Sequence, residues 1–307
     1  MKKIFLLITF LILIGWNLSY GQTSEYQYFS YSEYFKDDVI KEKKIKKITS
    51  TFFWTIPPGP LYQNDKSISS FNELGDLLCS ESYYFDENDP KIIIQQTKDC
   101  FEYADGFQSR QLRFHNNRDS AEWIRDFSYE LDDNQNVTKI IVKDRSYPHN
   151  SSVTEKFYNS QNKVITEKTD YGYLAEYKYD SKGNLIERIW GQEDWPRNSN
   201  LYTYDNAGKL IRYERTPQEE YETVLELNKY DKQGRIKVKE SLSTENVKSQ
   251  INYRYEGRNI VKLEFVNQKG ETYQVTTKSF SNGLIQSEVT EMNGKVHSKV
   301  IFEYEFH

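Results

Sequence analysis

From residue 71 onward, hydrophobic and polar positions alternate in short runs that are separated by turn residues. The clearest run has Tyr177 and Tyr179 two residues apart, followed by Asp180, Gly183 and Leu185. Residues two apart on a strand share one face, so the two tyrosines are expected side by side on a sheet. Asp180 can begin a turn by accepting backbone hydrogen bonds, and Gly183 suits a position that needs a positive φ. The run therefore predicts one antiparallel hairpin with a type I turn and a glycine bulge.

The same pattern recurs along the second half of the chain. Aromatic residues stand before or within a turn at positions 179, 204, 230, 255, 280 and 304, at steps of 24 to 26 residues. A fixed period of this length is typical of a repeat architecture. Besides the first run, we assign to the structural repeat Tyr202, Tyr204, Asp205, Gly208, Tyr230, Asp231 and Gly234. Another tight turn is predicted at Asn293 and Gly294.

The beginning of the chain lacks this pattern. Two lysines precede an apolar run over 4–14, and small residues follow it, which predicts a cleaved signal peptide over 1–21. Residues 22–70 contain a lysine cluster at 41–47 and a proline loop, and we expect them to form an irregular cap. Lysines on its first strand would discourage pairing between sheet edges of two molecules.

Residues 71–307 are predicted to form the repeat array. A lone hairpin is marginal in water, whereas neighbouring hairpins bury each other's faces and satisfy each other's edges. We therefore predict an all-β fold of tandem antiparallel β-hairpin repeats that form an open curved or spiral sheet.

Composition supports a thin sheet and restricts the partners. Hydrophobic residues make up 37% of the chain even though it has 25 tyrosines, whereas a compact globule has about 45–50% apolar residues. Without Lys2 and Lys3, 39 basic side chains face 46 acidic ones, a formal charge of -7. Such a charge argues against nucleic acid as a partner.

We expect no membrane span after signal removal and no lipid anchor, and hence a secreted or periplasmic protein.

The chain has two cysteines, Cys79 and Cys100. An exported protein meets an oxidising compartment, where such a pair can form a disulfide between neighbouring hairpins. The alternative is two separate buried thiols that act as small apolar side chains. The sequence leaves both open.

Residues 177–185 contain two tyrosines, an aspartate, a glycine and a leucine, and this combination recurs over 202–210 and in part over 229–236. It resembles the YD repeat of the RHS family. The resemblance implies a ribbon of β-hairpins, and it implies carbohydrate as a ligand class. Long members of the family form shells around a toxin domain. This chain is expected to be too short to close such a chamber and to carry no toxin domain.

Residues that would carry catalysis do not form a recognisable set. The stretch 132–136 is rich in oxygen-bearing side chains, but Val137 stands where a calcium loop needs glycine, so we predict a solvated hairpin turn. The four histidines are far apart and have no metal-ligand spacing. We therefore expect no cofactor, no metal and no catalytic residues.

Aromatic residues outside the repeat are better candidates for recognition. Trp190, Trp195 and Arg197 fall in a longer connection between hairpins, and Trp54 flanks the proline loop. Connections on rigid scaffolds often carry binding residues. The alternative is that these tryptophans only cover a sheet face.

Three hypotheses about function follow. The leading one is an exported, non-catalytic binding scaffold, with a glycan as the ligand by resemblance. The second is a protein-interaction module, an accessory or neutralising partner of a secreted effector that would bind another envelope or extracellular protein. The third, a cell-envelope hydrolase, needs a pocket with perturbed carboxylates that a sequence cannot display.

Overall fold

The structure is a computed structural model. It describes residues 37–55, 62–86, 89, 92–116, 118–192, 194, 197–216, 223–242 and 248–307. The chain separates into two compact units, 1–36 and 37–307, and the described residues belong to the second. The predicted signal peptide lies outside the described residues.

The described unit is almost entirely β structure, as predicted. A short helix, α1 (Asp37–Glu42), comes first, and a single 3₁₀ turn occupies Pro148–Asn150. No helix in the described part of the chain is long and apolar enough to cross a membrane. The strands in chain order are β1 (Ile45–Trp54), β2 (Tyr62–Phe71), β3 (Leu77–Phe85), β4 (Ile93–Ala104), β5 (Phe107–His115), β6 (Trp123–Leu131), β7 (Val137–Asp144), β8 (Ser152–Tyr158), β9 (Val164–Thr169), β10 (Tyr173–Tyr179), β11 (Leu185–Gln192), β12 (Asn198–Tyr204), β13 (Leu210–Thr216), β14 (Val224–Tyr230), β15 (Ile236–Leu242), β16 (Lys248–Glu256), β17 (Asn259–Val266), β18 (Thr272–Ser281), β19 (Leu284–Met292) and β20 (Lys295–Phe306).

The twenty strands form one closed antiparallel sheet. Each strand pairs with its neighbours in sequence, and β20 pairs back onto β1. The prediction of an open curved or spiral sheet was therefore wrong. Closure leaves none of the described strands as an edge with unpaired backbone groups, which is its physical advantage over an open array.

The seam between β1 and β20 is as regular as the other pairings. It joins nine residue pairs from Ile45 with Phe306 to Trp54 with Ser298, with one irregularity near its beginning. The range 22–70, expected to form an irregular cap, thus supplies two strands that complete the ring. Lys47, expected to guard a free edge, instead forms an ion pair with Glu305 across the seam.

The loops at one end of the sheet follow the turn chemistry that the repeat predicts. The Oδ1 atom of Asp180 accepts hydrogen bonds from the backbone N–H groups of Lys182 and Asn184 at 2.9 and 2.8 Å. Gly183 has φ +82°, as expected for the bulge position. Hydrogen bonds from Asn184, chiefly its side-chain amide, hold the pKa of Asp180 below its usual value.

Six other loops repeat these two hydrogen bonds at 2.8 to 3.0 Å. They begin at Asn72, Asp132, Asn159, Asp205, Asp231 and Asn267. The loop at Asp132 joins β6 to β7, so the prediction of a hairpin turn there is confirmed. Asn293 and Gly294 both have positive φ and form the predicted tight turn between β19 and β20.

The repeat tyrosines join each hairpin to the one before it. Tyr204 donates its hydroxyl hydrogen to the backbone oxygen of Leu185, the residue opposite the preceding repeat tyrosine, Tyr179. Eight tyrosines make a bond of this kind, at 2.5 to 2.9 Å: Tyr103, Tyr129, Tyr158, Tyr179, Tyr204, Tyr230, Tyr255 and Tyr304. Burial raises the pKa of Tyr129 to about 12, so its hydroxyl remains a donor at neutral pH. These bonds explain why the repeat uses tyrosine where phenylalanine would also fill the space.

We expect Tyr204→Phe and Tyr255→Phe each to lower the free energy of unfolding by about 1 kcal/mol, because each loses one hydrogen bond and leaves a carbonyl without its donor. Denaturant unfolding at neutral pH measures the change. Tyr171→Phe is the matched control, since Tyr171 is 62% exposed. Equal stabilities for all three variants would contradict a role of the hydroxyl in joining hairpins.

The two faces of the closed sheet differ in exposure. On one face, Ala175 is fully buried and the pair Lys156 and Glu167 is 4% and 12% exposed. On the other face, the pair Lys178 and Glu187 is 65% and 23% exposed. Side chains inside a closed sheet converge and shield one another, so we assign the face of Ala175 to the inside and call it the inner face.

A disulfide joins Cys79 on β3 to Cys100 on β4, two directly opposed residues whose Cα atoms are 4.1 Å apart. It connects the hairpin of β2 and β3 to the hairpin of β4 and β5. Of the two alternatives that the sequence left open, the structure has the bridge.

Candidate functional site

Four consecutive strands, β10 to β13, bring aromatic rings and an arginine together on the inner face. The register places Tyr177 opposite Arg188 and Ala175 opposite Trp190. Because Ala175 has a small side chain, the indole of Trp190 has room to lie beside the guanidinium. We call the set Tyr173, Tyr177, Arg188, Trp190, Asn200, Tyr202 and Tyr213 the Arg188 cluster.

The guanidinium of Arg188 lies between aromatic rings. Its central carbon is 5.6 Å from the ring centroid of Tyr177 and 4.9 Å from that of Trp190, which are cation–π distances. Its Nη2 atom donates a hydrogen bond to the hydroxyl of Tyr173 at 3.1 Å. Burial acts to lower the pKa of Arg188, but the phenols of Tyr177 and Tyr173 outweigh it and the pKa lies above its ordinary value. Arg188 is therefore a half-buried, permanent cation.

Tyrosines of the next hairpin extend the cluster. The rings of Tyr202 and Tyr213 are opposed across β12 and β13 with centroids 5.4 Å apart. Asn200 holds both hydroxyls, since its Oδ1 accepts from Tyr213 at 3.0 Å and its Nδ2 donates to Tyr202 at 3.2 Å. Asn200 is itself opposite Arg188. The result is an aromatic platform with a fixed cation, an amide and several hydroxyls.

A second arginine and tryptophan group on the inner face serves as a comparison. Trp123 lies against Arg125 and Arg113, whose central carbons are 3.8 and 5.0 Å from its ring. Both cations have carboxylate partners, Asp144 at 3.2 Å and Asp99 at 2.8 Å. This group has balanced charges, whereas Arg188 has no carboxylate within ion-pair distance among the described residues.

The candidate residues from the sequence do not come together as one site. Trp190 lies on strand β11 and not in a loop, and it is the one member of the set in the Arg188 cluster. Trp54 lies on β1, ten strands away around the ring, where its ring contacts His297 edge-on at 4.1 Å. Arg197 bonds Glu176 at 2.5 Å, and the register places Glu176 on the outer face. Trp195 lies outside the described residues.

Sequence reasoning missed Arg188, Tyr173, Asn200 and Tyr213. The available signal was the two-residue spacing of Arg188 and Trp190, which puts both on one face of a strand. Tyr177 and Tyr202, which the sequence analysis assigned to the structural repeat, also belong to the cluster. The cross-strand register that unites these residues is not visible in the sequence.

The described part of the chain gives no support to a metal site. In it, no group of three or more histidine, cysteine, aspartate or glutamate side chains is arranged to hold a metal ion.

Comparisons with known proteins give only distant structural likeness. No family model matches the chain, and no curated protein matches it. Among solved structures, TcdB2-TccC3-TEV is 12% identical with a TM-score of 0.41, over 79% of this chain and 15% of its own. A Tc holotoxin pore structure from Photorhabdus luminescens is 8% identical with a TM-score of 0.39, over 82% and 18%.

A third structure, a porin-like protein from Bacteroides uniformis, is 10% identical with a TM-score of 0.35, over 85% of this chain and 98% of its own. The chain thus spans less than a fifth of the length of the Tc chains. At these TM-scores the likeness supports no argument about family or function.

Proposed function

We propose that this protein is an exported, non-catalytic binding scaffold of the RHS type, and that the Arg188 cluster on its inner face binds a saccharide. The observation that carries the proposal is the aromatic platform of Tyr177, Trp190 and Tyr202 beside polar groups held in fixed positions. Ligand sites are typically lined by aromatic side chains with a few oriented polar groups. The apolar faces of sugar rings fit such rings, and sugar hydroxyls fit the hydroxyls of Tyr173 and Tyr202.

Rigidity favours the same proposal. The cluster stands on strands of a closed sheet, and Asn200 is only 7% exposed and bonded on both sides. Little side-chain freedom is lost when such a preorganised surface binds a ligand.

The test is a glycan array with calorimetry of the saccharides that bind. We expect Trp190→Ala to weaken saccharide binding at least tenfold, because truncation of a central aromatic residue of a binding site commonly costs about 2 kcal/mol. Trp54→Ala, ten strands away, is the matched control and should bind like the wild type. Unchanged binding by Trp190→Ala, or no binding to any saccharide by the wild type, contradicts the proposal.

A protein-interaction role is the second candidate, and the outer face favours it. Phe157 on β8 and Leu201 on β12 lie on the outer face, and their side chains are 51% and 41% exposed. Ile165, Ile186 and Ile211, at the bulges of the hairpins between and beside them, are 36% to 37% exposed. Exposed apolar side chains that recur on neighbouring hairpins are typical of contact surfaces. If this surface binds a partner protein, Phe157→Ser and Leu201→Ser together should abolish capture of that partner while saccharide binding is retained.

A further inference from the structure

We infer that the ligand of the Arg188 cluster is an acidic saccharide, whose carboxylate pairs with the guanidinium of Arg188. This inference rests on the proposed function and adds the chemical class of the ligand. It comes from the hydrogen bonds that Arg188 lacks.

A guanidinium has five N–H donors. In Arg188, one donor bonds the hydroxyl of Tyr173, while the Nε atom is buried and has no hydrogen-bond partner among the described residues. Buried polar groups are nearly always bonded, so an unbonded one on a desolvated cation requires an explanation. A carboxylate that reaches the Nη groups of this half-buried guanidinium would supply the missing negative charge.

The carboxylates near Arg188 already have other partners. Glu167, opposite Ala175, is 3.7 Å from Lys156. Glu226, opposite Tyr213, is 2.8 Å from Lys239. None of the described carboxylates therefore neutralises Arg188.

A second cation strengthens the local field. Arg215 lies directly opposite Asn200 on the inner face, and its side chain forms no hydrogen bond or ion pair with the described residues. Two cations thus flank the tyrosine pair in a chain whose formal net charge is -5. General attraction of anions to such a chain is not expected, so a preference for an acidic ligand must come from this site.

A carboxylate fits this site better than a hydroxyl. Guanidinium groups bind carboxylates through paired N–H donors, and hydrogen bonds between ions are about twice as strong as those between neutral groups. The nearby rings of Tyr177 and Trp190 would keep water away from the pair and place a sugar ring next to it.

The test compares acidic oligosaccharides with their methyl esters, which keep the sugar rings and remove the charge. The probes are trimers of galacturonic acid, tetrasaccharides of hyaluronan and trimers of mannuronic acid, each as free acid and as ester, titrated into the full chain. We expect at least one free acid to bind about tenfold or more tightly than its ester. Arg188→Met should remove that difference, so that the acid and the ester bind this variant equally.

Three further measurements distinguish a loss of charge at Arg188 from a change in side-chain shape and from a loss of the folded state. Arg188→Lys keeps the charge and should retain part of the preference, while Arg113→Lys on the balanced group should retain all of it. Circular dichroism and thermal unfolding show whether each variant is folded. Equal binding of acid and ester, or a preference that survives Arg188→Met, overturns the inference but leaves the proposed function standing. If neither the acids, the esters nor the neutral saccharides of the array bind, both fail.

Discussion

Replacing both Cys79 and Cys100 with serine is expected to lower the free energy of unfolding by about 3 kcal/mol. The two residues are 21 positions apart in sequence, and the bridge removes conformations of that loop from the unfolded chain. In the folded chain the residues are opposed on adjacent strands, so the serine variant can keep the same pairing. The effect therefore falls mainly on the unfolded state.

Guanidinium unfolding of the variant and of the wild type, with and without reductant, measures this change. The reduced wild type should match the serine variant, and reductant should not affect the variant. The control is the double change Glu81→Gln and Lys98→Gln, in the opposed pair two residues farther along the same strands, a partly exposed ion pair worth at most about 1 kcal/mol. If the serine variant were as stable as the oxidised wild type, the bridge would not constrain the chain.

Local turn chemistry was predictable because it depends on a few adjacent residues. Asp180 and Gly183 act within one five-residue loop, and the structure has both in their expected roles. The same holds for Asn293 and Gly294. The repeat period also predicted an all-β fold of antiparallel hairpins, which the structure has.

The closure of the sheet was not predictable from the repeat. Strand β1 lacks the tyrosine and aspartate pattern, so its residues resembled a cap, and its partner β20 lies more than 240 positions later. The pairing of Ser50 with Phe302 depends on the accumulated curvature of all the strands between them. No local pattern records that curvature.

The Arg188 cluster was partly missed for two reasons. Trp190 was assigned to the connection between two hairpins, whereas β11 continues to Gln192. A Cβ atom at position 191 would lie 3.3 Å from the Cγ atom of Arg197, so this glycine permits a close approach within a strand. In addition, Arg188 matches no motif, and only the register across β10 to β12 shows that it lies between aromatic rings.

Closure of the sheet predicts a specific response to proline in β20. We expect Val300→Pro and Ile301→Pro each to lower the free energy of unfolding by about 3 kcal/mol or more. Proline lacks the backbone N–H, and the N–H groups of adjacent strand residues point to opposite neighbours. Val300 is paired with Phe52 on one side and Glu288 on the other. Ile301 is likewise paired with Thr51 and Ser287.

An open sheet predicts a different result, because β20 would then be an edge strand. One of the two adjacent N–H groups would face solvent, and proline there would be tolerated. Val300→Ala and Ile301→Ala report the loss of each side chain alone, and the proline effect is the difference between the paired variants. Ser181→Pro, at the second position of a type I turn where proline is favoured, is the control for proline itself and should change stability little.

Denaturant unfolding of these five variants therefore distinguishes the two topologies by a simple asymmetry. Two strongly destabilising prolines at adjacent positions require hydrogen-bonded strands on both sides of β20, which only the pairing with β1 can provide. One destabilising and one tolerated proline would mean that the seam between Ile45–Trp54 and Ser298–Phe306 does not form. The inner face would then be open to solvent along that edge, and the burial that we assign to Val300 and Phe302 would be lost with it.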